Sequence, residues 1–185
     1  MKIFSVIVLF VLLPVSALAG FYGFKPIDIY DPETGLYYKG VNIQVESNSF
    51  AGKGPRTLIK NVFIFDPVEN KGKLLFPSGD DKDIAVFLFE TEVKDGVVSF
   101  HNGSRESIKN NQQITDRKAK DKILIGLRDQ DSGAVTLFTS NKLGQNMEKI
   151  AFVSRTANFH IDVKNSKLRV VRQAPEGIEL NSYDW

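Results

Sequence analysis

The stretch KIAFVSRTANFHIDVKNSKLRVVRQ, residues 149–173, decides the fold class. It is an apolar run, a short break, an alternating run, a polar turn and a second alternating run. Phe159, Ile161 and Val163 fall on one side of an extended chain, and His160 and Asp162 on the other. That two-residue period is the mark of a half-buried strand. Lys164, Asn165 and Ser166 turn the chain, and Leu168 and Val170 resume the apolar face. The stretch therefore reads as a β-hairpin with a third strand leading into it.

Outward from this hairpin the same grammar recurs. Residues 123–127 and 135–138 are apolar runs either side of a polar turn at 129–133. Residues 84–89 form an unbroken apolar run, short enough for a strand covered on both faces rather than a helix. Asp95-Gly96 is a tight hairpin signal, and residues 97–100 return from it. Residues 57–65 and 74–76 flank the Asp66-Pro67 turn. Val41, Ile43 and Val45 alternate with Asn42, Gln44 and Glu46, and a turn containing Asp31, Pro32 and Gly35 precedes them. The pattern fails over 102–122, which reads as a long polar insertion, either a loop or one poorly anchored helix. Residues 174–185 read as a polar tail. The expected architecture is a single all-β domain over 20–173, an antiparallel meander of about nine to eleven strands. Propeller-like or barrel-like closure would remove its edges.

Residues 1–19 stand apart from this pattern. Lys2 precedes a continuous apolar segment, and Ala17-Leu18-Ala19 has the small-x-small form that signal peptidase accepts, which predicts cleavage before Gly20. A retained membrane anchor is the competing reading, but the segment is short for a span. The chain has no cysteine, which excludes a lipid-linked cysteine and fits a bacterial periplasmic or secreted protein with an ordinary core. A net charge of +2 gives no reason to expect nucleic acid or an anionic membrane as partner.

Acidic turn residues recur at Asp31, Asp66, Asp95, Asp129 and Asp162, with Asp95 the weakest match because Val93-Lys94 rather than a long apolar run precedes it. A spacing near one hairpin pair suggests an array of repeated β units. Residues 149–155, then 158–162 and 168–171, resemble one blade of the TolB-type, WD40-like β-propeller repeats of periplasmic proteins. Residues 61–76 resemble the outer strands of another. The Ser-Pro-Asp-Gly that usually precedes such an Ile-Ala-Phe strand is replaced here by Asn146-Met147-Glu148. The resemblance implies an interaction platform and no catalytic residues.

Candidate chemistry is sparse. His101 and His160 are the only histidines; the first reads as a turn residue and the second as an exposed strand residue, and nothing in their spacing brings them together on a metal. Asp80, Asp81 and Asp83, and Asp129 and Asp131 before Gly133, lack the further oxygen ligands that calcium needs. Gly-x-Ser-x-Gly is absent, Ser140-Asn141-Lys142 has the wrong spacing for a Ser-x-x-Lys pair, and Gly52-Lys53-Gly54 is not a phosphate-binding loop. Asn102-Gly103-Ser104 is formally a glycosylation sequon. No cofactor and no metal are expected. Glu90 and Glu92 share one strand face, the arrangement a carboxylate-based hydrolase would use.

For binding, Arg117, Lys118 and Lys120 form a basic segment beside the polar insertion, suited to an acidic partner. Tyr37, Tyr38, Tyr183 and Trp185 are candidate interface aromatics, since such rings pack while their polar atoms stay wet. The favoured expectation is an exported, non-catalytic binding or accessory protein that engages another envelope protein through loops at one end of the sheet. The alternatives are a carrier of small hydrophobic ligands with a β-barrel cavity, and the hydrolase.

Overall fold

The computed structural model describes residues 27–45, 56–77, 83–109 and 117–185. The expected signal segment at 1–19, Gly52-Lys53-Gly54, Asp80 and Asp81, and residues 110–116 of the polar insertion lie outside these. Among the described residues the chain is all-β, with thirteen strands. They are β1 (Asp28–Tyr30), β2 (Tyr37–Val45), β3 (Arg56–Asp66), β4 (Lys71–Leu74), β5 (Ile84–Lys94), β6 (Val97–Phe100), β7 (Arg105–Ser107), β8 (Ile123–Arg128), β9 (Val135–Ser140), β10 (Glu148–Val153), β11 (Asn158–Asp162), β12 (Lys167–Ala174) and β13 (Gly177–Asp184).

Every pairing between them is antiparallel. They make a sheet in the order β1-β2-β3-β4, a central sheet β10-β9-β8-β5-β6-β7, and a third sheet β11-β12-β13. Among the described residues the sheets stay open, so the expected barrel-like closure is not formed. The sheets are instead stacked face on face. Alternate residues of the central strands serve two cores. Ile84, Phe87, Phe89, Ile123 and Ile125 meet Tyr38, Val62 and Ile64 of the first sheet. Leu124, Val135, Leu137 and Val153 meet Ile161, Leu168 and Val170 of the third. Coverage on both faces explains why β5 and β8 read as unbroken apolar runs, whereas β11 and β12, covered on one face, alternate.

The polar tail is a correction. Residues 177–184 form β13, which pairs with β12 along its full length from Ala174↔Gly177 to Lys167↔Asp184. Its apolar content is low because one face meets solvent, and cross-strand charge pairs such as Lys167–Asp184 replace packing there. The polar insertion also contains a strand, β7, paired with β6.

The recurring acids have a common local structure. Asp31, Asp66, Asp129 and Asp162 each accept a main-chain N–H two or three residues on. In each case the residue four positions later, Gly35, Asn70, Gly133 or Ser166, has positive φ. The carboxylate holds the turn and the left-handed residue reverses the chain. Asp95 is different: it is itself left-handed, as is Gly96, in a two-residue hairpin.

Candidate functional site

Two buried ionic clusters and one exposed aromatic face dominate the polar chemistry of the described residues. The first cluster centres on Glu90. The β5–β6 ladder shifts register between Glu90 and Glu92, and this bulge separates two side chains that a regular strand would place on one face. Glu90 is fully buried, while Glu92 is exposed, so the carboxylate pair expected for a hydrolase is not assembled.

Arg117 grips Glu90 with both guanidinium arms, Nη1 donating to Oε2 at 2.5 Å and Nη2 to Oε1 at 2.8 Å. Lys120 N donates to Oε2 at 3.0 Å, and Trp185 Nε1 to Oε1 at 3.0 Å. The Lys120 ammonium donates in turn to the main-chain oxygen of Trp185. Burial pushes the Glu90 carboxyl up, but the hydrogen bonds from Arg117, Lys120 and Trp185 and the guanidinium charge outweigh it and hold the group below its ordinary range. Burial pulls the Lys120 ammonium down, with Glu90 opposing and Arg117 and Lys122 reinforcing that shift.

The second cluster joins the first sheet to the turn after β9. Lys142 Nζ lies 2.8 Å from Asp31 Oδ2, with both side chains out of solvent, and 5.3 Å from the centroid of the Phe89 ring. Tyr38 donates its hydroxyl to Lys142 O at 2.9 Å, and Lys142 N donates to Asp121 Oδ1 at 2.8 Å. Burial, then the negative charges of Asp31 and Asp121, push the Tyr38 hydroxyl far up, so it stays protonated and able to donate. His101 stacks on Phe89 at 4.8 Å, and burial holds its imidazole down at about 4, so it is neutral at physiological pH. Both clusters therefore spend their ionic groups on joining elements distant in sequence.

The exposed face is the outer side of the first sheet. Tyr30 pairs with Tyr37, Tyr37 with Phe65, Phe65 with Gly72 and Phe63 with Leu74 across β1 to β4, so these residues share one side. Tyr38 and Ile64, of opposite parity, occupy the buried side. Tyr30, Tyr37, Phe63 and Leu74 are 51%, 50%, 39% and 40% exposed. The Tyr30 and Tyr37 rings lie 4.9 Å apart. Gly72 lies under the tip of the Phe63 ring: a Cβ there would sit 2.1 Å from Cζ of Phe63, so the ring in this position uses the space of the absent side chain. The far end of the molecule is different. An open groove of about 440 Å³ beside the β12–β13 turn has a mixed lining that includes Asn158, Val171, Gln173 and Ile178.

The sequence candidates divide accordingly. Tyr37 belongs to the exposed face, and Lys118 is exposed on its own. Tyr38 and Trp185, expected at an interface, are instead 1% and 3% exposed, each satisfying its polar atom inside the protein. Tyr183 is half-buried against the second core. Arg117 and Lys120 are brought together with Trp185, but on Glu90 rather than on an external acid. His160 stands exposed in β11 and His101 lies at the β6–β7 turn, in different sheets. No group of three His, Cys, Asp or Glu suited to a metal ion occurs among the described residues, and no helix there is long and apolar enough to cross a membrane. Glu90 as a structural node was readable as a charge ending an apolar run; Lys142, in a polar turn, gave no such signal. No protein family, curated protein or solved structure matches this chain.

Proposed function

We propose that this chain is an exported, non-catalytic binding protein that engages another envelope protein through the outer face of β1 to β4. One observation carries this reading: a row of aromatic and aliphatic side chains stands uncovered on a sheet whose opposite side is a filled core. Contiguous exposed apolar surface of this kind marks an interaction site, and tyrosines suit it because their hydroxyls tolerate both water and a partner. The ionic groups suited to acid–base work are occupied by the two clusters, which supports binding over catalysis. The resemblance of residues 149–171 to repeats that serve as interaction platforms points the same way. This reading puts the contact on a sheet face, whereas the sequence suggested loops at one end of the sheet. Among the described residues the sheets do not close into a barrel, which favours this reading over a carrier of hydrophobic ligands.

The test is a photo-crosslinking amino acid at position 37, compared with one at position 160 on the third sheet, in cells that export the chain. A discrete crosslinked partner from position 37 and none from position 160 supports the reading. Equal crosslinking from both positions, or none from position 37, refutes it.

A further inference from the structure

The second ionic cluster holds a nucleophile that the binding face does not use. Lys142 Nζ and Asp31 Oδ2 are 2.8 Å apart, and the two side chains are 1% and 0% exposed. Even at that distance Nζ makes no aligned hydrogen bond, to Asp31 or to any other acceptor among the described residues. An ammonium carries three donors, and leaving them unsatisfied out of solvent is costly. The Phe89 ring stands 5.3 Å from it. Asp31 does not need burial for its turn, because Asp66, Asp129 and Asp162 head the same turn while reaching solvent.

We propose that Lys142 and Asp31 condense into an internal amide, a covalent cross-link between Nζ and the carboxyl carbon Cγ that forms once the fold has enclosed the pair. Cγ is one bond, about 1.2 Å, from Oδ2, so it lies within about 4 Å of Nζ. Both main chains are fixed. Asp31 N donates to Leu36 O at 2.9 Å and Gly35 N to Asp31 O at 2.8 Å. Lys142 N donates to Asp121 Oδ1 at 2.8 Å, and Lys142 O accepts the Tyr38 hydroxyl at 2.9 Å. Nucleophile and carbon are thereby held close to attack distance, which makes a bimolecular condensation effectively unimolecular.

A proton first passes from Nζ to Oδ2, since a neutral amine and acid avoid burying two charges. The amine lone pair then forms the bond from Nζ to Cγ. Charge develops on Oδ1, which already accepts the Glu33 N–H at 3.3 Å. A second Nζ proton moves to Oδ2, and the Thr34 hydroxyl, 2.6 Å from that oxygen, is placed to relay it. The bond from Cγ to Oδ2 breaks, and Oδ2 leaves as water with both protons. The third stays on the amide nitrogen, and no oxidant, reductant or cofactor enters. The cross-link ties the turn after β1 to the turn after β9, and so the first sheet to the central one, in a chain that has no cysteine for a disulfide.

The test is mass spectrometry of the purified, denatured chain, its N-terminus determined, beside Lys142→Arg, whose guanidinium keeps the charge but stays protonated and does not attack. The wild-type chain is expected to weigh one water less than its composition, and a protease digest to yield a branched peptide joining Asp31 to Lys142. Lys142→Arg is expected to carry its full calculated mass and, in denaturing electrophoresis, to run behind the wild type with or without reductant. A folded wild-type chain at full calculated mass, with the Asp31 and Lys142 peptides recovered separately, overturns the proposal. A loss of water that persists in Lys142→Arg overturns it as well.

Discussion

Replacing Glu90 by Gln removes one charge from a site with no access to water while leaving its shape intact. The carboxylate accepts two bonds from Arg117 and one each from Lys120 N and Trp185 Nε1. A neutral amide offers one acceptor oxygen to these donors and turns its own NH₂ toward the guanidinium. Breaking one side of a buried ion pair costs about 3–5 kcal/mol. Arg117 is 22% exposed and recovers part of its hydration, which lowers the expected loss to roughly 2–4 kcal/mol. For a chain of this size that corresponds to a fall in Tm of roughly 5–15 °C. The assay is urea unfolding of wild type and Glu90→Gln, followed at Trp185, the only tryptophan. The carboxyl is held below its ordinary value of 4.5 when folded. Its contribution is therefore complete above that pH and disappears as the pH falls through the folded value. Glu90→Gln should flatten this acid limb as well as lower the plateau. A variant within about 0.5 kcal/mol of wild type at neutral pH, with an unchanged acid limb, would refute the reasoning.

Other perturbations follow from the same geometry. Lys142→Met strands the buried Asp31 carboxylate and should cost about 3–5 kcal/mol, with part restored by adding Asp31→Asn, as a double-mutant cycle in urea would show. The folded His101 imidazole titrates at about 4 against 6.5 when free, so the unfolded chain binds the extra proton between those values. Stability should rise with pH across that window and level off above it, and His101→Phe should remove this component of the slope. Leu168→Ala empties a fully buried position in the second core and should cost about 2–5 kcal/mol by calorimetry. Gly72→Ala places a methyl where the Phe63 ring lies; because that ring is exposed and can swing away, stability should change by less than about 1 kcal/mol while the ring's NMR shifts move.

Much of the fold was legible because burial leaves a period in the sequence. β6 is found at 97–100, as its returning run after Asp95-Gly96 predicted, and β11 and β12 carry the alternation that a sheet with one wet face requires. The unbroken apolar run at 84–89 is central, as read, but β5 continues to Lys94 through a bulge that no period reports. β13 was missed because its stability comes from pairing with β12 and from charge pairs, and neither leaves an apolar stripe. Barrel closure was misjudged for a related reason: repeated acid-headed turns specify hairpins but not whether successive sheets close or stack. At the candidate site, aromatic identity did not separate Tyr37 from Tyr38. Adjacent strand residues point to opposite faces, and only the packing partner decides which face is inside. Trp185 and Arg117 converge on Glu90 through chain paths that no local pattern encodes.

The most direct measurement is the effect of Tyr30→Ser combined with Phe63→Ser on the complex crosslinked from position 37 and on the Tm. Both side chains stand on the uncovered side of the first sheet, so the double variant should melt within a few degrees of wild type and lose the complex. A variant that keeps the complex while folding normally would contradict the binding face.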